Sequence, residues 1–432
     1  MELVRARGHA GDGLWRRTER TSVTFESGRL KACAVAEETG VNLRVLAGGR
    51  MGVAGTTAED AEDLVTRAIA SAALGETVPI AFPPAAPLPR VATASAAAAD
   101  APLDRITAIG AGLVDRVARE GCQVNVSIDR EIAQTRVLNT AGADASFQTT
   151  VVAVSLDLAR FAGDDVLFVS DLYVGTGLPD AADLDALVRS IEDRYTPALR
   201  VVTPPEGSLP VVFTPSGLSA ILLPLEQALS GKTVLQGISP LGAKVGERLF
   251  DERFSLTDDP LASGRPASRP VDDEGTASVT LPLIDRGVVR GFVYDLETAA
   301  RAGTTSTGHG ARGTFGKPHV SYSNLIVGKR EEGRGKGGLG GGLLGGITDG
   351  LLIDDLIGVG QGNVIGGAFS HPVALAFRVE RGEITGRVKD AAVAGNVYEL
   401  LKRIGAFGDD GRWLSSRWAA SLLLEGVSVA RR

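Results

Sequence analysis

One short segment of the sequence combines the residue types that could do chemistry. Thr304-Thr305-Ser306-Thr307-Gly308-His309-Gly310 brings hydroxyl groups, two glycines and an imidazole together directly after a predicted helix. Such a segment can present backbone N–H donors and a titratable ring to a ligand. It can also form a tight glycine turn whose histidine hydrogen-bonds to the backbone, and the residues by themselves favour this second interpretation.

Signatures of better-known sites are incomplete in this chain. Ser230-Gly231-Lys232-Thr233 ends like a phosphate-binding loop, but the glycine required five residues before Gly231 is replaced by Glu226, a carboxylate that would repel the anion. We therefore interpret this segment as an ordinary helix C-terminal turn. The four histidines include no pair at i, i+4, and Cys33 and Cys122 lie far apart, so a helical zinc motif and a cysteine knuckle are excluded. Both cysteines fall in strand patterns, where we expect burial.

Composition limits the function classes further. The chain has 432 residues, of which 44% are hydrophobic and 22% charged, and its formal net charge is −7. The apolar fraction suffices for packed cores, whereas the negative charge argues against direct nucleic-acid binding over the whole surface. No run reaches about 18 apolar residues, so we expect no membrane span. With two cysteines and no apolar segment behind the basic residues of the N-terminus, we expect a cytoplasmic location.

The first part of the chain reads as an α+β domain over residues 1–77. Alternating residues predict strands near 21–26, 29–37, 41–47 and 50–55, with turns at Ser27-Gly28 and Thr39-Gly40, and Thr57 is expected to cap the following helix. Six prolines and an alanine run then predict a linker over 78–103.

Two further units are predicted beyond the linker. Residues 104–200 read as a middle α+β domain, with strands near 122–129, 133–139, 146–160 and 166–175, and residues 206–432 read as a larger C-terminal domain. Hairpin turns at Asp285-Arg286-Gly287 and Arg381-Gly382-Glu383 indicate antiparallel strands there, which favours an α+β class over a doubly wound sheet. The glycine-rich stretch 331–350 is expected to form a mobile loop.

The order of several segments resembles the TldD/PmbA family, once described as modulators of DNA gyrase and now regarded as metalloprotease-related. FESGRLKACAVAEETGVNLRVLAGGRMGVAGTT is similar to the family's opening hairpin and helix. VDDEGTASVTLPLIDRGVVRGFVYDLETAARAGTTSTGHGARG is similar to its D-x-E-G strand, hairpin and Ser-Thr-Gly-His segment. GGAFSHPVALAFRVERGEITGRVKDAAVAGNVYELLKRI is similar to its closing sheet and Ala-Gly-Asn helix start.

The resemblance implies a particular kind of subunit. In the family, TldD-type subunits bind metal through a His-Glu-x-x-x-His helix and a later cysteine. Here the corresponding helix, residues 216–231, contains no histidine, and Ala419 and Ala420 stand where the cysteine would fall. Alanine and leucine donate nothing to a metal. The resemblance therefore implies a metal-free TldE/PmbA-like subunit without catalytic residues of its own, whose TldD-like partner carries the metal, expected to be zinc.

The resemblance also suggests which residues face the substrate. Thr307, Gly308 and His309 belong to one signature stretch and Gly395 and Asn396 to another, so we expect them near one cleft at the subunit interface. The implied function is proteolysis of small or unfolded peptides, or processing of modified peptide precursors, by the two-subunit complex. Two alternatives remain from the sequence: a catalytically inactive, stand-alone peptide-binding homodimer, and an enzyme of unrelated chemistry centred on His309.

Overall fold

The computed structural model of the protein describes residues 1–330 and 338–432. Its first half is built on six long strands: β1 (Ala10–Glu26), β2 (Arg29–Ala47), β3 (Arg50–Thr56), β4 (Cys122–Asn139), β5 (Asp144–Ala162) and β6 (Asp165–Gly175). The helices of this half are α1 (Glu2–Ala6), α2 (Ala61–Ala72), α3 (Ala96–Ala99), α4 (Leu103–Val117) and α5 (Ala181–Ala198).

The six strands form one antiparallel sheet in the order β3-β2-β1-β4-β5-β6. Strand β1 pairs with β4 from Asp12 opposite Asn139 to Phe25 opposite Val126, so the strands of the predicted units 1–77 and 104–200 share a single sheet. At the start of the segment 78–103 between them, Val78, Ile80 and Phe82 are buried beside Met51 and Leu296. The predicted boundaries therefore do not separate two sheets.

Several local predictions are corrected by this sheet. Strand β2 runs unbroken through the predicted Thr39-Gly40 turn, and β4 runs through the predicted gap between residues 129 and 133. A Cβ atom at position 40 would lie 2.2 Å from the Thr314 hydroxyl oxygen, so this glycine permits close packing instead of a turn. Helix α2 begins one turn later than expected, because the Asp60 side chain caps it by accepting from the Asp63 N–H.

The second half carries shorter elements. Its helices are α6 (Ser219–Ala228), α7 (Gly231–Leu235), α8 (Leu296–Ala302) and α9 (Val397–Leu400), with a 3₁₀ turn at Leu344–Gly346. Its strands are β7 (Val201–Val202), β8 (Gly207–Phe213), β9 (Leu256–Asp258), β10 (Leu281–Asp285), β11 (Val288–Val289), β12 (Gly310–Ala311), β13 (His319–Val320), β14 (Leu325–Val327), β15 (Asp349–Leu356), β16 (Ala368–Glu380), β17 (Glu383–Val388), β18 (Ala391–Asn396), β19 (Ile404–Phe407), β20 (Arg412–Leu414), β21 (Arg417–Ala419) and β22 (Leu422–Arg431).

Two sheets organise this half. One follows the order β15-β8-β22-β18-β16-β17-β7, and β15 also pairs with β16, so the pairings of β8, β15, β16, β18 and β22 form a closed circuit. The other follows the order β11-β10-β9-β14-β21-β20. Most neighbouring strands are antiparallel, with parallel pairs at β8–β15, β7–β17 and β14–β21. The predicted α+β class, with a larger C-terminal unit built on antiparallel pairing, is confirmed.

The two halves share a hydrophobic core. Helix α5 contacts both β6 of the first sheet and β17 of the second half. Ile106 and Leu113 of α4 and Ile191 of α5 belong to the same buried cluster as Leu352 and Phe377 of the second half. Leu339, Leu343 and Leu344, from the predicted loop 331–350, pack against this cluster, whereas residues 331–337 of that loop lie outside the described residues.

No helix in the described ranges is long and apolar enough to cross a membrane.

Candidate functional site

A pocket of about 390 Å³ lies where three parts of the chain meet. Strands β5 and β6 form one wall, the segment leading into α6 forms a second, and the hairpin β20–β21 forms the third. Hydroxyl groups are frequent in its lining, which includes Ser155, Ser170, Ser216, Ser219 and Ser415. The walls therefore offer many groups that can both donate and accept hydrogen bonds.

Two arginines of the β20–β21 hairpin line the pocket, and each is paired with an acid. Arg412 Nη1 lies 2.7 Å from Asp171 Oδ2, while Arg417 Nη2 lies 2.9 Å from Glu226 Oε2. Burial opposes ionisation of Asp171, but Arg412 and Arg194 outweigh it and lower the pKa of this carboxyl. The carboxylates compensate both guanidinium groups, so the pocket is polar without a strong excess of positive charge.

Asp157 is the acid of the pocket that pairs with no arginine among the interactions described. Burial raises its pKa, and a hydrogen bond with Ser155 offsets only part of that rise. It stands on β5 directly opposite Ser170 of β6. The Asp157 carboxyl can accept hydrogen bonds from N–H donors, and the Ser170 hydroxyl opposite it can donate as well as accept.

The pocket does not fit a zinc ion. Its α6 and β21 walls present Ser219, Leu222 and Ala419, and of its two carboxyls Asp171 is already held by arginine. Zinc requires several His, Cys, Asp or Glu donors. Within residues 1–330 and 338–432 no group of three or more such side chains is placed to hold a metal.

His309 lies in a buried turn outside this pocket. It is 1% exposed, its Nε2 is 3.1 Å from Asp258 Oδ1, and its Nδ1 is 2.9 Å from both the carbonyl oxygen and the hydroxyl of Thr307. Gly308 adopts a positive φ of 76° and its carbonyl accepts from Arg269. The segment is a hydrogen-bonded turn in the isolated chain, with its imidazole closed to solvent.

Next to this turn, the D-x-E-G segment forms a buried network of charges. Asp272 accepts from the Gly310 N–H and Asp273 from the Arg312 N–H, at 2.9 Å each. Glu274 Oε1 lies 2.7 Å from Nη1 of Arg44. These acids belong to the segment that resembles the family's D-x-E-G strand, and three consecutive acids in a mostly apolar sequence context are the signal that could have indicated a buried network here.

Gly395 and Asn396 lie at the junction of β18 and α9. Asn396 caps α9 by accepting from the Tyr398 N–H, and its amide group donates to the Gly366 carbonyl at 3.0 Å. Tyr398 in turn donates to the carbonyl of Pro224 in α6 at 3.3 Å.

The His309 turn reaches the same helix through another tyrosine. The Tyr322 ring packs edge-on against His309, and its hydroxyl donates to the Glu226 carbonyl of α6 at 2.6 Å. Both predicted segments are thus connected to α6, but neither lines the pocket. Their meeting in one cleft at a subunit interface stays a prediction, and the pocket residues themselves, drawn from three distant parts of the chain, were missed by sequence reasoning.

Comparison with protein-family models gives two matches. Residues 206–431 match the PmbA/TldA metallopeptidase C-terminal domain, and residues 14–72 match the PmbA/TldA metallopeptidase domain 1. Among curated relatives, a metalloprotease of Methanothermobacter thermautotrophicus is 28% identical over 290 residues, covering 66% of this chain and 62% of that protein. A metalloprotease PmbA homolog of Haemophilus influenzae is 28% identical over 224 residues, covering 51% of this chain and 48% of that protein. The matches thus span less than two thirds of these relatives.

Solved structures share the fold over nearly the whole chain. TldE from Thermococcus kodakarensis superposes with a TM-score of 0.88 at 23% identity, covering 99% of both chains. A protein of Thermotoga maritima named as a modulator of a DNA gyrase superposes with a TM-score of 0.88 at 22% identity, covering 99% of this chain and 98% of that one.

Proposed function

The chain belongs to the PmbA/TldD family, and we propose that it is the non-metal, TldE/PmbA-like subunit of a two-subunit metallopeptidase. In this proposal a TldD-like partner supplies the metal, expected to be zinc, and the hydrolytic site. The chain described here supplies part of the wall that receives the substrate. The complex acts in the cytoplasm on small or unfolded peptides, or on modified peptide precursors.

One observation carries the proposal. The helix α6 and the strand β21 present Ser219, Leu222 and Ala419 to the pocket. The resemblance implies that these two elements correspond to the metal-binding elements of TldD-type subunits. None of these side chains can bind zinc or activate a water molecule. A chain that keeps the family fold around such a wall has the means to bind a substrate and lacks the means to hydrolyse it.

The chemistry of the pocket supports a peptide as the ligand. An extended peptide exposes N–H and C=O groups regardless of its sequence. The serines of the pocket can pair with both kinds of group, and Asp157 can accept from the N–H groups. The arginines are neutralised by Asp171 and Glu226, so the pocket does not require an anionic ligand.

The alternative of an enzyme centred on His309 is not favoured, because its ring is 1% exposed, with Nδ1 hydrogen-bonded to Thr307 and Nε2 lying 3.1 Å from Asp258 Oδ1. The alternative of a stand-alone peptide-binding protein predicts that the chain works without a partner. An experiment with both subunits therefore distinguishes this alternative from the proposal.

The test is to co-express the chain with a TldD-like subunit from the same source and to assay peptide cleavage by the pair and by each subunit. We expect the two to co-purify and only the pair to cleave. Absence of any complex, with peptide binding by this chain alone, would instead establish the stand-alone protein.

A substitution in the pocket tests whether the pocket receives the substrate. Ser170 is exposed on the β6 wall, so Ser170→Trp should fill the pocket while the subunit folds and assembles. Ser146→Trp, at an exposed position of β5 outside the pocket, is the matched control. We expect at least about a tenfold loss of kcat/KM for Ser170→Trp and little change for the control.

A further inference from the structure

Strand β2 has an open edge along most of its first half. Residues 29–39 pair with β1 on one side, and within the described residues β3 pairs with β2 only from Val41 onward. Every residue from Arg29 to Glu38 is exposed. Unpaired N–H and C=O groups along such an edge form a ready template for another strand.

The helix layer leaves this part of β2 uncovered as well. Helix α2 packs against β2 and β3, and α4 packs against β1 and β4. Apolar side chains on the open strand reach solvent as a result, with Leu30 51% and Val35 66% exposed. Cys33, predicted to be buried because it falls in a strand pattern, is exposed because this part of β2 is uncovered.

The charges along the open edge are complementary to those of a second, antiparallel copy of the same strand. Its beginning is basic, with Arg29 and Lys31, and its end is acidic, with Glu37 and Glu38. A second copy of the strand running antiparallel sets basic ends opposite acidic ends, whereas a parallel copy sets like charges opposite each other. Opposite charges across a strand pair are stabilising and like charges are destabilising.

We propose that two copies of this chain associate by antiparallel pairing of their β2 edges, centred at Cys33 or Ala34, so that two six-stranded sheets become continuous. A centre at Cys33 places Arg29 opposite Glu37 of the second copy, and a centre at Ala34 places Lys31 opposite Glu37. Within one chain Glu37 pairs with Arg17 at 2.8 Å, but both side chains are 51% exposed. An exposed pair of this kind contributes little and is easily exchanged.

This contact is independent of the proposed function and compatible with it. Strands β1 and β4 separate β2 from β5 in the sheet order, and the pocket is lined by β5 and β6. Edge pairing therefore leaves the pocket open, and failure of one proposal does not remove the other.

Charge reversal tests the pairing in the purified full-length chain. We expect the wild type to be a dimer by sedimentation velocity in the micromolar range. Arg29→Glu with Lys31→Glu, and separately Glu37→Lys with Glu38→Lys, should each raise the dimer dissociation constant about tenfold or more, because like charges then face each other. An equimolar mixture of the two variants should form a dimer again, since their charges are complementary.

The matched control is Arg248→Glu with Glu252→Lys, an exposed pair in the second half of the chain, which should leave the dimer unchanged. A monomeric wild type, a dimer that survives both edge reversals, or pairing of this edge only with a TldD-like subunit would each overturn the proposal.

Cysteine cross-linking provides a second readout that does not depend on charge. With Cys122→Ser as background, mild oxidation should join two copies through Cys33 if the centre lies there. With Cys33→Ser added, Ala34→Cys reports the other centre. A dimeric sample in which neither position cross-links would also overturn edge pairing.

Discussion

Arg44 and Glu274, 230 residues apart in the sequence, form a fully buried ion pair whose Nη1–Oε1 distance is 2.7 Å. The same guanidinium binds Asp12 through Nε at 2.9 Å and Nη2 at 2.7 Å. Arg312 adds a second cation 3.2 Å from Asp12. This network joins strands β1 and β2 to the second half of the chain.

Removing Arg44 should destabilise the protein strongly. Arg44→Met leaves Asp12 and Glu274 buried with less compensating charge, which typically costs about 3–5 kcal/mol. Chemical denaturation of the isolated chain measures the loss. Lys402→Ala, which breaks an exposed pair with Glu399, is the control and should cost no more than about 1 kcal/mol. Equal losses for the two variants would contradict the assigned role of Arg44.

Stability should fall as pH rises from about 4.5 to about 7. Burial raises the pKa of Glu274 from 4.5 to about 7, and Arg44 only partly offsets this, while Asp272, Asp295 and Asp12 add to the rise. Over that range the unfolded chain loses the proton that the folded chain keeps, which disfavours folding by about 3 kcal/mol in total. Unfolding free energies measured across this range should show a smaller downward slope for Glu274→Gln. An unchanged slope would show that another group titrates there.

Substitution of His309 should lower the free energy of unfolding, and it distinguishes a role in a substrate cleft from a role in a structural turn. His309→Ala removes the contact with Asp258 from a buried site, for an expected loss of about 1–3 kcal/mol. His319→Ala, at an exposed histidine, is the matched control. In the two-subunit complex, a loss of turnover larger than the unfolded fraction explains would support the predicted cleft role. Full activity of the folded complex, or a loss that unfolding accounts for entirely, would support the structural turn.

Metal removal should affect the pair and not this chain. Because its pocket does not fit zinc, elemental analysis of the purified chain should find no stoichiometric metal. A chelator should stop peptide cleavage by the complex and leave the unfolding temperature of the isolated chain unchanged. One tightly held transition metal per chain, with a chelator-sensitive unfolding temperature, would refute this assignment.

The local sequence predicted hairpin turns correctly where the turn requires residues with a positive φ. The Ser27-Gly28 and Arg381-Gly382 pairs both adopt positive φ at the hairpin turns expected from the sequence. The turn predicted at Thr39-Gly40 was wrong. Gly40 leaves room for the Thr314 side chain, which lies 274 residues further along the chain and cannot be recognised from a local pattern.

Long-range pairing explains what else the sequence could not supply. The residues around Val23 contain no signal that its strand pairs with the strand of Ile128. The local pattern therefore predicted two units where the folded chain forms one sheet. The pocket has the same origin, since Asp157, Ser219 and Arg412 come from different regions and meet only after folding. The resemblance supplied the family, whereas the residues alone left the role of His309 open.

The separation of Arg44 from Glu274 has a consequence for biosynthesis. At about 5–20 residues per second, a ribosome needs about 10–50 s to add the 230 residues between them. During that interval Asp12 and Arg44 lack their third partner Glu274, and the second half of the chain, which this network joins to β1 and β2, is still being synthesised. The nascent N-terminal half therefore passes through a stage in which chaperones have access to a surface that the finished protein closes.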